Sequence, residues 1–168
     1  MKVSLFKTTG KGDTITRAEL EETVKMIADG SYGDAVRKLR EVYPFTSHRE
    51  ERGWEDDFTV KEKLPRIAFG AELRKMNGEC KMLSYNGMVV LEADNLGDYD
   101  VATALRNEAA RLPYTTLAFV GATGRSVKIV CRGELFPDGS GRSLPEDETE
   151  IQQFHRNLYQ NCLLYTSP

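Results

Sequence analysis

The segment Met88–Asp94 constrains the fold of this chain more than any other sequence feature. In an extended strand Val89 and Leu91 share one face, while Glu92 and Asp94 share the other. Such a strand is apolar on one side and becomes acidic on the other side at its end. This pattern predicts a sheet with one side covered by helices and with two carboxylates at its edge.

The order of the predicted elements indicates an α+β fold. From residue 64 onward the sequence reads β-β-β-α-β-β-α, with Asn77-Gly78 as a hairpin turn and a helix over 100–112. Two strands, 116–120 and 127–132, follow that helix, and a last helix begins near Glu146. We expect a mostly antiparallel or mixed sheet with helices packed on one face.

The chain is expected to form one domain over residues 1–168. No Gly/Ser linker or internal repeat divides it. We expect residues 1–63 to be a mainly helical N-terminal part, in which Thr16–Glu19 is a capping box for the first helix. Residues 64–168 are expected to form the sheet core and the C-terminal helix.

Composition excludes several classes of protein. With 23 Lys+Arg against 26 Asp+Glu, the formal charge of −3 excludes histone-like binding but leaves a local basic groove open. No apolar stretch approaches the ~20 residues that span a bilayer, and Met1–Lys7 lacks the core of a secretion signal. The cysteines Cys80, Cys131 and Cys162 are scattered and predict no disulfide framework. We expect a cytoplasmic protein without membrane contact.

The first candidate site is the carboxylate pair of Glu92 and Asp94. Their Cα atoms are expected about 7 Å apart on one side of a strand. Like charges this close raise each other's pKa unless a cation lies between them, and Mg²⁺ or Mn²⁺ prefers such oxygen ligands. The alternative is that the strand simply ends here and both acids face water.

The second candidate site is the turn Gly121–Gly124 with the strand that follows it. Small residues let backbone N–H groups approach phosphate oxygens, and Arg125 and Lys128 add positive charge beside Ser126. The spacing is not that of a P-loop. The alternative is an ordinary glycine-containing turn before an exposed basic strand.

Other residues with chemical potential are less promising. His48 lies in the charged segment 46–63, and neither it nor His155 has a metal-ligand partner at a suitable spacing. Cys131 falls on the inward face of its strand and is expected to be a buried, inert thiol.

The stretch Asn86–Arg132 resembles the primase-like domain of VirE-type replication proteins of bacterial mobile elements, which is related to the archaeo-eukaryotic primase-polymerase superfamily. Val89–Asp94 is similar to that superfamily's first motif, a hydrophobic run ending in acid-x-acid. Ser126–Lys128 is similar to its second motif, small-x-His, with Lys128 replacing histidine. The third motif, a later carboxylate, has no match before Pro168.

This resemblance implies an RRM-like core that is incomplete at the C-terminus, and a nucleotidyltransferase activity. Glu92 and Asp94 would be catalytic and hold Mg²⁺ or Mn²⁺, while Arg125, Ser126 and Lys128 would bind the triphosphate. The implied partners are a DNA or RNA template, nucleoside triphosphates and a helicase or ATPase encoded downstream.

Two alternatives to an enzyme stay open at this point. One is a non-catalytic module that binds nucleic acid or a partner protein. The other is an interaction domain in which the acids and the basic turn are ordinary surface features. A divalent metal at Glu92 and Asp94 would favour the enzyme, whereas an open basic face without metal would favour the binding module.

Overall fold

The chain folds into three small antiparallel sheets rather than the single sheet expected. The computed structural model describes residues 1–9, 12–42, 64–135 and 144–166. These residues form eight strands and four α-helices, so the α+β class is confirmed. The strands are β1 (Lys2–Thr9), β2 (Gly12–Glu19), β3 (Arg66–Ala68), β4 (Ala71–Met76), β5 (Glu79–Tyr85), β6 (Met88–Ala93), β7 (Thr115–Val120) and β8 (Val127–Arg132). The helices are α1 (Leu20–Ala28), α2 (Gly33–Val42), α3 (Tyr99–Ala109) and α4 (Glu148–Thr166).

The central sheet has the strand order β6-β8-β7. Both pairings are antiparallel, so β6 and β7 run parallel to each other on either side of β8. Helices α3 and α4 cover one face, where Val89 and Leu91 share a buried cluster with Ala102 of α3 and Leu158 of α4. Two helices therefore pack on this face of the sheet, while Leu20 and Ile27 of α1 pack against the core on the opposite face.

The opposite face of the central sheet is covered by the N-terminal sheet, whose strand order is β2-β1-β3. Val3 and Phe69 pack there against Met88 and Val130. Because side chains alternate along a strand, β6 and β8 each contribute residues to two cores. The central sheet is thus buried on both sides.

The first 63 residues differ from the mainly helical segment that we expected, because they begin with the hairpin of β1 and β2. Strand β2 continues through the predicted capping box at Thr16–Glu19, and α1 begins only at Leu20. The side chain of Glu19 makes no capping hydrogen bond. Pairing with β1 outweighs the local helix signal here. His48 and the rest of the charged segment 46–63 lie outside the described residues.

Strands β4 and β5 form a separate two-stranded ribbon. Its turn, Asn77-Gly78, has φ values of 51° and 86°, as a hairpin turn of this composition requires. The ribbon is joined to the N-terminal sheet by a hydrogen bond from the backbone N–H of Leu73 to Ser4 Oγ (2.7 Å). The ribbon therefore contacts the N-terminal sheet through β1.

A close backbone approach lies between β3 and β4. A Cβ atom at Gly70 would lie 2.9 Å from the carbonyl oxygen of Met88, so a side chain has no room at this crossing. Nearby, the Asn86 side chain donates hydrogen bonds to the carbonyl oxygens of Lys2 (2.8 Å) and Phe69 (3.0 Å). Asn86 thus joins the start of β1 and the end of β3 to the segment between β5 and β6.

Among the described residues, no helix is both long enough and apolar enough to cross a bilayer.

We predict that Leu158→Ala lowers the free energy of unfolding by about 2–5 kcal/mol, because it removes a fully buried side chain between α4 and the central sheet. Denaturant unfolding measures this loss. The exposed Gln160 on the same helix supplies the control, since Gln160→Ala is expected to change stability by less than about 0.5 kcal/mol. Equal losses in the two variants would contradict the position of this core.

Candidate functional site

The acidic end of β6 is arranged only partly as the alternation predicted. Val89 and Leu91 lie under the helices and Glu92 lies on the other face, as expected. The strand, however, ends at Ala93, and Asn95 adopts a left-handed conformation with φ of 57°. The alternation therefore does not extend to Asp94, which belongs to the loop after the strand.

Glu92 forms an ion pair with Lys128 across the sheet. The two residues are directly opposite each other in the register of β6 and β8, and Lys128 Nζ lies 2.6 Å from Glu92 Oε1. Their side chains are 35% and 45% exposed, respectively. The pair is partly open to solvent, and the ammonium group supplies the counter-charge for which the sequence analysis invoked a metal.

The carboxylate of Asp94 makes a hydrogen bond to the neighbouring backbone. Its Oδ1 accepts a hydrogen bond from the backbone N–H of Asn95 (2.8 Å). Among the described residues no three His, Cys, Asp or Glu side chains are grouped so as to hold a metal ion. With Glu92 paired to an ammonium group, the donor set near β6 does not fit the octahedral oxygen coordination of Mg²⁺ or Mn²⁺ as it stands. Metal binding by Glu92 and Asp94 remains a prediction.

The turn between β7 and β8 uses its own backbone amides. The N–H of Gly121 donates to the carbonyl oxygen of Ser126 (2.8 Å), and the N–H of Gly124 donates to that of Gly121 (2.9 Å). Gly124 has φ of 77°, which a residue with a Cβ rarely adopts. These two amides stabilise the turn, so they do not form the phosphate cradle that the glycine spacing suggested.

Ser126 has a packing role in this turn. It is only 4% exposed, and a Cβ atom added to Gly121 would overlap its Oγ. Gly121 and Ser126 therefore fit together because the first has no side chain. The structure does not present Ser126 beside Lys128 on an open surface, although both were predicted to hold a triphosphate.

Two arginines are oriented by backbone carbonyl groups near this turn. Arg125 Nε donates to the carbonyl oxygen of Leu96 (3.2 Å). Arg40 Nε donates to that of Ala122 (3.2 Å), and its guanidinium lies 4.9 Å from the centre of the Tyr99 ring. Arg125 was predicted as a phosphate-binding residue, but Arg40 was not. Arg40 lies 82 positions before Ala122, and no local pattern could have revealed the contact.

A concave region lies between the β4–β5 ribbon and α4. It is a cavity of about 670 Å³ whose lining includes Tyr85, His155 and Tyr159. Tyr85 Oη is 3.0 Å from His155 Nδ1, and its ring meets that of Phe154 edge to face. Partial burial raises the pKa of Tyr85 to about 12 and lowers the pKa of His155. No local sequence pattern indicates this partner of His155, because Tyr85 lies 70 positions away.

Comparison with families of known proteins matches this chain to one family. The family model described as "BT4734-like, N-terminal domain" matches residues 59–168, which are 110 of the 168 residues. The chain belongs to the BT4734-like N-terminal domain family. Neither the comparison with curated proteins nor that with solved structures gives a match.

This assignment corrects the resemblance proposed from the sequence. The BT4734-like N-terminal domain is a different family, so the identification as a VirE-type, primase-polymerase-related domain is wrong. The primase and DNA-replication roles drawn from it are withdrawn with it. The motifs that suggested it are short, and the first of them is only a buried strand followed by two acids, of which Asp94 already lies beyond the strand.

The family match covers most of the structure described above. It includes the central sheet, both helices that cover it and the β4–β5 ribbon, while Arg40 and the β1–β2 hairpin precede it. The BT4734-like segment therefore contains every site residue predicted from the sequence.

We predict that Gly121→Ala lowers the free energy of unfolding by about 1–3 kcal/mol, because the new methyl group overlaps Ser126 Oγ. Ser126→Ala in the same chain removes the clashing oxygen and should recover most of the loss. Denaturant unfolding of the single and double variants measures this coupling. Gly97→Ala is the control, since a Cβ there meets no neighbouring atom. If Gly121→Ala lowered the free energy of unfolding equally in the wild-type and the Ser126→Ala backgrounds, the contact between the two residues would be contradicted.

We also predict a pH dependence of stability that originates at His155. Its pKa in the folded chain lies below the usual 6.5 because burial disfavours the charged ring. The folded state therefore binds this proton more weakly than the unfolded state. The stabilising contribution is complete above the unfolded pKa and is lost as the pH falls through 6.5 towards the folded value.

The measurement compares the wild-type chain with His155→Gln by denaturant unfolding at about pH 7.5 and about pH 5.5. We expect the wild type to lose more stability than the variant on acidification. The other histidine, His48, is common to both proteins and cancels in the difference. An identical loss in both proteins would show that His155 is not the group responsible.

Proposed function

We propose that this chain is a non-catalytic module that binds the phosphate groups of a nucleoside triphosphate or of nucleic acid at the start of β8. The observation that carries this proposal is the ion pair of Lys128 and Glu92. It holds an ammonium group at a partly open strand end, and an exposed ion pair of this kind contributes little to stability. The Lys128 ammonium is thus available to exchange its carboxylate partner for a phosphate.

The two oriented arginines support the same ligand chemistry. Arg40 and Arg125 each use Nε on a backbone carbonyl oxygen. No described residue is hydrogen-bonded to the terminal nitrogens of either guanidinium group. Guanidinium groups bind phosphate oxygens through paired N–H donors, and a fixed Nε reduces the entropy lost on binding. Helix α2, the turn between β7 and β8, and the start of β8 therefore supply one cationic group each.

The connectivity of the central sheet supports a binding position at the strand ends. The order β6-α3-β7-β8-α4, with β8 between β6 and β7, follows the ferredoxin-like motif as far as its second helix. Domains of the RRM type bind RNA on the open face of such a sheet. Here Val3 and Phe69 cover that face, so a ligand has access only at the edges.

Metal-dependent nucleotidyl transfer is the second candidate function. It is favoured by the proximity of Glu92 and Asp94 in the sequence, where two carboxylates follow a buried strand. It would require Glu92 to release Lys128 and bind a divalent cation instead.

We predict opposite effects for the two members of the ion pair. Lys128→Ala should weaken triphosphate binding about tenfold, because it removes a charge-assisted contact. Glu92→Gln should strengthen it, because the ammonium group loses its competing carboxylate. Calorimetric titration with a nucleoside triphosphate, and separately with an oligonucleotide, measures both effects and distinguishes the two phosphate sources. All titrations are made with a chelator and again with Mg²⁺.

The control is Arg111→Ala, which removes one cation beyond the C-terminal end of α3. That end is about 16 Å from the N-terminal end beside Leu96, and Arg111 pairs with Glu108 on the surface. Its binding should equal that of the wild type. Weaker binding of Glu92→Gln, seen only with Mg²⁺, would overturn the non-catalytic proposal in favour of the metal-dependent one. Absence of binding by the wild type in every titration would overturn both.

A further inference from the structure

The β4–β5 ribbon exposes cationic and apolar side chains together. Every residue from Arg74 to Ser84 is exposed, and the ribbon pairs with no third strand among the described residues. The apolar side chains of Met76, Met82 and Leu83 are 41%, 39% and 46% exposed. A ribbon that only completed the core would bury one of its faces, whereas this part of the ribbon buries neither.

Two like charges lie directly opposite each other on the ribbon. Arg74 and Lys81 are paired in the register of β4 and β5. Neither forms an ion pair with a described residue. Like charges at directly opposed positions destabilise an antiparallel pair. The arrangement is unfavourable for the isolated ribbon and becomes favourable when an anion lies between the two groups.

The remaining charges leave this end of the ribbon basic. Glu72 is engaged by Arg17 of the N-terminal sheet, at 2.5 Å between Arg17 Nη1 and Glu72 Oε1. Lys75 donates to the backbone oxygen of Asp13 (3.3 Å) and keeps its charge. Glu79 is opposite Met76 and is the ribbon's other carboxylate. Arg74, Lys75 and Lys81 therefore outnumber the one carboxylate that has no ion-pair partner.

We propose that the β4–β5 ribbon is a binding surface for duplex nucleic acid, with Arg74 and Lys81 contacting backbone phosphates. A two-stranded ribbon has the width that the major groove of B-DNA admits. Cationic side chains there bind phosphates, and exposed apolar side chains contact sugars and base edges. The ribbon and Lys128 belong to different sheets, and the chain as a whole carries a charge of −3, so the attraction is local.

The test uses Lys81→Glu in the full chain. A carboxylate at this position faces Arg74 and removes the like-charge repulsion, so the thermal stability should be unchanged or higher. Duplex binding, measured by fluorescence anisotropy over a range of salt concentrations, should weaken by at least about threefold. The slope of log affinity against log salt should also fall by about one, as expected for the loss of one phosphate contact.

The matched control is Lys25→Glu, which makes the same change of charge on an exposed face of α1. It should leave duplex affinity and salt slope close to those of the wild type. Equal weakening in both variants, or an unchanged salt slope in Lys81→Glu, would overturn the ribbon proposal. So would binding of nucleoside triphosphate without binding of duplex, an outcome that leaves the function proposed for Lys128 intact. Conversely, duplex binding that depends on Lys81 but not on Lys128 supports the ribbon alone.

Discussion

Burial of the central sheet on both faces is the constraint on which the rest of the structure depends. The strands β6 and β8 contribute Val89 and Ile129 to the core beneath α3 and α4, and Met88 and Val130 to the core beneath the N-terminal sheet. A strand buried on both sides must be apolar at successive positions, which explains the run Met88–Leu91. The N-terminal sheet and the two helices therefore pack on opposite sides of the same few residues.

This arrangement restricts polar chemistry to the ends and edges of the sheet. Glu92 and Lys128 lie where the apolar run of β6 stops, and Arg125 lies in the turn that leads into β8. Each of these groups is anchored by one contact, which is either an opposite charge or a backbone carbonyl. A ligand at such a position exchanges one electrostatic partner for another and disturbs no core. Such an exchange is what the proposed binding function requires, whereas catalysis would also require a second oxygen ligand held in place.

The alternation within strands could be predicted from sequence because it depends on neighbouring residues alone. It placed Val89 and Leu91 correctly. The Asn77-Gly78 hairpin could also be predicted locally, because these two residue types readily adopt the positive φ angles that the turn requires. Features that depend on distant partners could not be predicted in this way. The predicted capping box at Thr16–Glu19 is part of β2, because these residues pair with β1. Arg40 donates a hydrogen bond to Ala122, which lies 82 positions later in the chain. The family itself was misidentified because only two short motifs within the resemblance were mechanistically specific.

The Lys128–Glu92 pair and the Arg74–Lys81 pair have the same position relative to their strands but opposite combinations of charge. Both pairs occupy directly opposed positions on antiparallel strands, where side chains are close enough for their charges to interact. In the first pair unlike charges satisfy each other, so a phosphate must compete with a carboxylate. In the second pair like charges repel, so a phosphate relieves an existing cost. For equal exposure, the ribbon therefore gains more from an anion than the strand end does. A polyanion that reaches both surfaces would be held at the ribbon first, while Lys128 would bind it only after releasing Glu92.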